Sequence, residues 1–192
     1  MKPAGAAILT LALWVTASPA FADQPLLRPN RDVDVTYRAS GAGLPQDSRR
    51  LEQRVRWLAA SQIMRIDPPP TGLFVIINYV ARRMSVVREA NRSVIEMAAP
   101  EDVAGVAGKP GIGGYLRRGE DTVAGVACTD WETRDRDGQQ ALVCITADGV
   151  LLRARAEGKS LVSAVSVRYA PQDPAAFQVP ADYTHRSAGA AR

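Results

Sequence analysis

Two cysteines, Cys128 and Cys144, and one histidine, His185, are the residues of this chain best suited to metal binding, redox chemistry or nucleophilic catalysis. A zinc site takes four ligands, and a redox dithiol takes a Cys-x-x-Cys spacing, but the sequence contains neither pattern. His185 lies where the chain runs into small and polar residues, a poor setting for the base of a catalytic triad. We therefore expect no metal, no cofactor and no enzymatic activity.

The N-terminal residues predict an exported chain. Lys2 precedes an apolar run from Ala6 to Val15, and Ala20-Phe21-Ala22 supplies the small-x-small pattern of signal-peptidase sites. The run is shorter than the roughly 20 apolar residues that a membrane span needs. Residues 1–22 are thus predicted to be a signal peptide cleaved after Ala22, and the mature chain is expected to have no transmembrane segment.

An exported chain with two cysteines favours a disulfide, because oxidising compartments preserve one. The segments TDWET and ALVCIT have strand composition, and RDRDG between them reads as a turn. A hairpin centred on Arg136 pairs Trp131 with Ala141 and places Cys128 opposite Cys144, close enough to bond after modest adjustment. The sequence therefore predicts an intrachain disulfide.

The same alternation continues into a four-strand meander with one buried face. Asp148-Gly149 has the composition of a tight hairpin turn that would pair Ile145 with Leu152. The next turn would bring Val165 opposite Leu152. In this register the cysteines fall on the polar face, opposite the apolar one.

The first half of the chain also predicts strands. They are expected at Asp32 to Arg38, Leu51 to Leu58, Gln62 to Ile66, Leu73 to Asn78, Arg83 to Arg88 and Ser93 to Met97. The fourth, LFVIIN, has apolar residues at both its odd and its even positions, so each face of this strand should be buried. A helix, a ligand or another sheet must therefore cover the second face. The stretch from Ala98 to Thr122 is rich in glycine and predicts a loop with, at most, a weak short helix.

Apolar residues in these strands could line a concave ligand-binding face. Flexible methionines and flat aromatics suit an adaptable apolar ligand. The candidate lining residues are Trp57, Met64, Val75, Ile77, Tyr79, Met84 and Met97. An ordinary filled core is the alternative.

The charge pattern does not suggest a nucleic-acid surface. The formal net charge is +4, and arginine supplies nearly all the positive charge. The arginines alternate with apolar residues, as in RVRW and LLRARA, which is typical of solvated strand faces. We expect no nucleic-acid partner.

Three segments carry a family resemblance: FVIINYVARRMSVVREANRSVIEM, DTVAGVACTDWET with VCITADGVLLRA, and PQDPAAFQVPADYT. They resemble an uncharacterised family of secreted Gram-negative envelope proteins similar to the half-barrel lipoprotein carriers LolA and LolB. The resemblance implies a mostly β, open antiparallel half-barrel with one or two short helices as a lid. We expect this domain to span residues 23–186, and the composition of residues 187–192 predicts a disordered tail. It also implies that Phe177, Val179, Pro180 and Tyr183 seal one end of the barrel. The candidate lid, Ala98 to Gly114, is shorter and richer in glycine than that of the carriers.

The resemblance implies a periplasmic, non-catalytic protein that binds an apolar or lipidic ligand, or an acylated protein. Burial of apolar surface would supply the affinity. The alternative is an envelope interaction or sensor module with a closed core that binds a protein partner at a sheet edge.

Overall fold

Twelve strands form a single open sheet in this computed structural model, which describes residues 24–39, 52–69, 72–100, 114–134 and 138–187. The predicted signal peptide, most of the candidate lid and residues 188–192 of the predicted tail lie outside these ranges. The strands are β1 Val33–Ala39, β2 Glu52–Leu58, β3 Ile63–Asp67, β4 Leu73–Asn78, β5 Arg83–Arg88, β6 Ser93–Ala98, β7 Leu116–Val123, β8 Val126–Arg134, β9 Gln140–Ile145, β10 Leu151–Ala156, β11 Lys159–Arg168 and β12 Thr184–Ser187. Among the described residues the only helices are 3-10 turns at Ala59–Ser61 and Pro174–Phe177. The mostly β, open architecture expected from the sequence is confirmed.

The strand order is β12-β6-β5-β4-β3-β2-β1-β11-β10-β9-β8-β7. Strands β2 to β6 pair antiparallel with their chain neighbours, as do β7 to β11. Strand β1 lies between β2 and β11 and joins the two halves. Among the strands that the structure describes, β12 alone runs parallel to its neighbour, β6.

Strand β4 has both faces covered, as its sequence predicts. Phe74 and Ile76 are buried in a second core with Val87 and Val94. The chain that follows β11 packs on this cluster through residues that include Val179 and Tyr183. These residues therefore cover a face of the sheet and do not seal the end of a barrel, because the chain crosses β3 to β6 before it forms β12.

The main core lies on the face of the sheet opposite to the cluster of Phe74 and Ile76. It includes residues of β1 and β2 and extends into β7 to β11. Its members are Val33, Val35, Trp57, Val123, Cys128, Cys144, Val150, Leu152 and Ala164. Strand residues of alternate position supply most of this cluster, since successive side chains of a strand point to opposite faces.

The β8–β9 register differs from the sequence prediction by two residues. Trp131 pairs with Val143 and Asp130 pairs with Cys144, so the cysteines are diagonal neighbours and not directly opposed. Their Sγ atoms nevertheless lie at disulfide distance, 2.09 Å, with the Cα atoms 5.5 Å apart. The expected placement on a polar face is also wrong, because both cysteines are buried in the main core.

Bulges explain the remaining differences in the meander. A register shift between Leu151 and Arg153 brings Ile145 opposite Leu151 instead of Leu152. Strand β11 is also shifted by one residue from the predicted register. Arg153 pairs with Ser163, whereas the predicted pairing of Leu152 with Val165 would place Arg153 opposite Ala164. An inserted residue changes which side chains reach the core, and turn composition alone does not reveal it.

Strand β7 lies where the sequence predicts a loop. Its sequence, LRRGEDTV, is mostly exposed, so it lacks the buried alternation that predicts a strand. Strand β12 also has no sequence signal, since THRS carries no apolar periodicity. Both are edge strands, held by backbone pairing on one side only.

Paired arginines and aspartates cover the polar face of β1 to β3. Arg54 donates two hydrogen bonds to Asp34 (2.9 and 2.5 Å), and Arg168 donates one (3.1 Å). The hydrogen bonds from Arg54, aided by Arg168, hold the pKa of Asp34 below its usual range although burial acts in the opposite direction. This carboxylate therefore ties β2 and β11 to the joining strand β1.

We expect Cys128→Ser to lower thermal stability without abolishing folding. The bond closes a loop with a sequence separation of 16, worth about 3 kcal/mol in the chain-entropy model, or a fall in Tm of about 6–12 °C. Thermal melts under non-reducing conditions check this, with the reduced wild type as the control. An unchanged Tm would rule out a stabilising disulfide.

We expect Asp34→Asn to lower the free energy of unfolding at pH 7 by about 1–3 kcal/mol, because it weakens three charge-assisted hydrogen bonds. A depressed folded-state pKa stabilises the protein above the unfolded pKa of about 3.9, and this contribution is lost as pH falls through the folded value. The difference between the variant and wild type should therefore shrink near pH 3.

Denaturant titrations at the two pH values measure this effect. The control is Glu157→Gln, because the Glu157 side chain is 70% exposed. If the difference in unfolding free energy between Asp34→Asn and wild type does not change with pH, the lowered pKa of Asp34 is contradicted.

Candidate functional site

Five of the predicted ligand-binding residues form one row across the sheet. Trp57 pairs with Met64, Met64 with Ile77, Ile77 with Met84, and Met84 with Met97. Val75, the sixth, lies two residues before Ile77 and so shares its face. Trp57 and Ile77 are buried and the other four are half-buried. These six residues therefore share one face, and the ring of Tyr79, the seventh candidate, lies beside that of Trp57.

A cavity of about 370 Å³ opens on this face at one end of the row. Strands β1, β2, β3 and β11 form its floor. The N-terminal segment and the β9–β10 turn form walls. The lining residues are Leu27, Pro29, Val33, Val35, Tyr37, Ala39, Gln53, Val55, Trp57, Met64, Ile66, Gly149, Val150, Leu151 and Val162.

The cavity takes in Trp57 and Met64 but not Val75, Ile77, Met84 or Met97. Sequence reasoning missed most of its lining, although the alternation in VDVTY and EQRVRWL marks the β1 and β2 residues. The walls carry no such signal, because their proximity comes from tertiary packing.

The cavity lining is uncharged. Gln53 and Tyr37 are the polar side chains in it. The Tyr37 hydroxyl donates a hydrogen bond to the Leu151 carbonyl (2.6 Å), and burial raises the pKa of Tyr37 far above its usual value. The phenol therefore stays neutral, and the site offers apolar contact without a charge to bind or activate a polar group.

A tilted aromatic pair, Trp57 and Tyr79, lies at the cavity, with Trp57 in the lining. The rings of Trp57 and Tyr79 are 5.7 Å apart, and the Arg28 guanidinium lies 3.8 Å from the centre of the Tyr79 ring. Burial lowers the pKa of Arg28, partly offset by Tyr79. Arg28 also donates to the Gln62 side chain (3.4 Å), which fixes the segment that carries Leu27 and Pro29.

His185 lies away from this cavity, on β12. Its Nδ1 is 3.6 Å from a carboxylate oxygen of Glu96. Within the part of the chain that the structure describes, no group of three or more His, Cys, Asp or Glu side chains could hold a metal ion. In the same residues, no helix has the length and apolar character needed to cross a membrane.

Gly149 allows the β9–β10 turn to approach the N-terminal segment. Its φ is +86°, and a Cβ atom there would lie 2.3 Å from the Arg28 carbonyl oxygen. Gly158 has a similar φ of +72° but open space around it. An alanine at position 158 therefore introduces backbone strain alone, whereas an alanine at position 149 introduces backbone strain and also displaces the cavity wall.

We expect Gly149→Ala to destabilise the protein by clearly more than Gly158→Ala. The second should cost about 1–2 kcal/mol, the penalty for a left-handed alanine, whereas the first must also displace Arg28. Denaturant titrations of both variants provide the comparison. Equal losses would show that the contact between Gly149 and Arg28 does not hold the wall.

Comparisons with known proteins identify the fold. The chain matches no protein-family model and no curated protein. An uncharacterised conserved protein from Thermus thermophilus is similar over 82% of this chain and 91% of its own, with 15% identity and a TM-score of 0.56. PNGF-II is similar over 82% of this chain, with 15% identity and a TM-score of 0.53, but the match spans only 31% of PNGF-II.

MucB, solved in complex with MucA(peri), is similar over 80% of this chain at 13% identity, with a TM-score of 0.45 that is too low to support a conclusion. The other two similarities show a shared fold and nothing about activity. The family resemblance to the lipoprotein carriers is not confirmed.

Proposed function

We propose that this protein is a non-catalytic binding protein for a linear apolar ligand, such as the acyl chain of a lipid or of an acylated protein. The observation that carries the proposal is the uncharged cavity over β1 to β3 and β11. Its volume of about 370 Å³ lies at the lower end of the range of about 300–1,000 Å³ typical of small-molecule sites.

The lining favours a chain of methylene groups over a polar ligand. Apolar burial contributes about 25 cal/mol per Å², whereas a polar group without a partner in such a site would weaken binding. The Tyr37 hydroxyl already has a partner in Leu151. A charged headgroup would therefore remain at the mouth of the cavity.

The row of Met64, Ile77, Met84 and Met97 offers a path for a longer ligand. It begins at the cavity, because Met64 belongs to both, and crosses β4, β5 and β6 in direct register. Methionine side chains adapt to irregular apolar surfaces. We propose that the remainder of a long acyl chain lies along this row.

The cysteine pair at bonding distance fits an extracellular or periplasmic location, where disulfides persist. We propose the periplasm as the site of action, since the N-terminal sequence has the features of a cleavable signal peptide.

The exposed edge strand β7 gives less support to peptide addition, the alternative function. Exposed edges can pair with another chain, but charged residues and bulges discourage such pairing. Strand β7 carries Arg117, Arg118 and Glu120, and its register shifts between Arg117 and Gly119. We therefore favour the cavity over the edge as the binding site.

A cavity-filling variant tests this proposal. Val162 lines the cavity, whereas Leu161, its neighbour on β11, is 46% exposed. We expect the wild type to bind a fluorescent fatty acid saturably. Val162→Phe should weaken binding at least about tenfold, and Leu161→Phe should change it less than about twofold.

Fluorescence titration measures these affinities, with melting temperatures to confirm that both variants fold. No saturable binding by wild type would overturn the proposal. Equal affinities for the two folded variants would place the probe outside the cavity.

A further inference from the structure

A second cleft lies on the opposite face of the sheet, between the chain that follows β11 and strands β3 to β6. Its volume is about 520 Å³. Ile63 lines this cleft and Met64, the next residue, lines the apolar cavity, so the two sites are on opposite sides of β3. The lining residues are Ile63, Ile76, Asn78, Arg83, Ser85, Glu96, Phe177, Gln178, Val179 and His185.

Ser85 is the unusual residue at the base of this cleft. Its cross-strand partners are Ile76 on β4 and Glu96 on β6, and the residue is only 4% exposed. A small polar side chain here, beside a core of Phe74, Ile76, Val87 and Val94, leaves space and places a donor and acceptor on the floor.

Glu96 leaves hydrogen-bonding capacity open to a ligand. Its carboxylate lies 3.6 Å from His185 Nδ1 and 3.9 Å from Arg83 Nε, both beyond direct hydrogen-bond distance. The Asn78 Oδ1 atom accepts from the Ala81 amide (2.8 Å), so its NH2 group is the part that a ligand would meet.

The Arg83 and Glu96 charges in the cleft do not favour a strongly ionic ligand. The positive Arg83 and the negative Glu96 cancel, so neither an anion nor a cation meets a surplus of opposite charge. The cleft instead offers donors on Arg83 and Asn78, an acceptor on Glu96, and both on Ser85 and Gln178. Hydroxyl groups, which donate and accept, complement such a mixed set.

The cleft also has an apolar part, which favours a ligand that carries apolar surface. Ile63, Ile76 and Val179 present aliphatic surface beside these polar groups. A sugar ring has C–H faces and a hydroxyl periphery that match this arrangement. We propose that the cleft binds a neutral saccharide of one or two rings, independently of any ligand in the apolar cavity.

The single histidine of the chain provides a direct test. Because His185 lines the cleft, its imidazole proton resonance is a site-specific NMR probe. We expect maltose, cellobiose or N,N′-diacetylchitobiose to shift this resonance saturably, with a Kd on the order of 1 mM. Inorganic phosphate and choline serve as the anionic and cationic probes.

Two variants and a control connect the shift to the cleft. Ser85→Val fills the floor, and Glu96→Gln keeps the shape but weakens the acceptor. Each should raise the Kd at least about tenfold. Ser166→Val, at an exposed position on β11, should leave it unchanged.

Melting temperatures and the His185 resonance of each free variant confirm that β12 is still in place. No saturable shift with any of the three sugars at about 20 mM, a response to phosphate or choline alone, or an unchanged Kd in folded Glu96→Gln would each overturn the proposal. Fatty-acid binding by the same samples is read separately, so failure of one site does not imply failure of the other.

Discussion

The two-sided burial of β4 is the constraint on which the rest of the structure depends. A strand that reads LFVIIN has apolar side chains on both faces, and each face must be removed from water. Phe74 and Ile76 are covered by the chain that follows β11, and Ile77 lies in the row that leads to the main core. The C-terminal segment therefore acts as a second layer, although it contains only one 3-10 turn.

Incomplete covering of both faces produces the two sites. On the side of Trp57, the N-terminal segment and the β9–β10 turn leave an open apolar cavity beside a row of buried and half-buried side chains. On the opposite side, the covering segment leaves a cleft that has the small polar residue Ser85 in its lining. One sheet thus presents two chemically different surfaces, because the pleat separates neighbouring residues such as Ile63 and Met64.

The sequence was sufficient to predict the features that depend on local periodicity. Strands β1 to β6 lie within a residue of their expected bounds, and six of the seven candidate ligand-binding residues share a face of these strands. The predictions failed where a single inserted residue or a distant contact decides the outcome. The bulge near Leu151 changes which residues reach the core, and no composition rule locates it. The cavity walls at Leu27 and Gly149 are brought together by tertiary packing across most of the chain.

The position of β1 has a consequence for how the protein folds. Strands β1 to β6 and β7 to β11 can each form from antiparallel pairs of chain neighbours. The second edge of β1, however, pairs only with β11, and Asp34 and Arg168 are separated by 134 residues. The second edge of β6 likewise stays unpaired until β12 is present. A partly synthesised chain would thus carry two bare strand edges, the kind of surface that promotes aggregation. Closing both with the last part of the chain makes assembly of the sheet a late, cooperative event with high contact order.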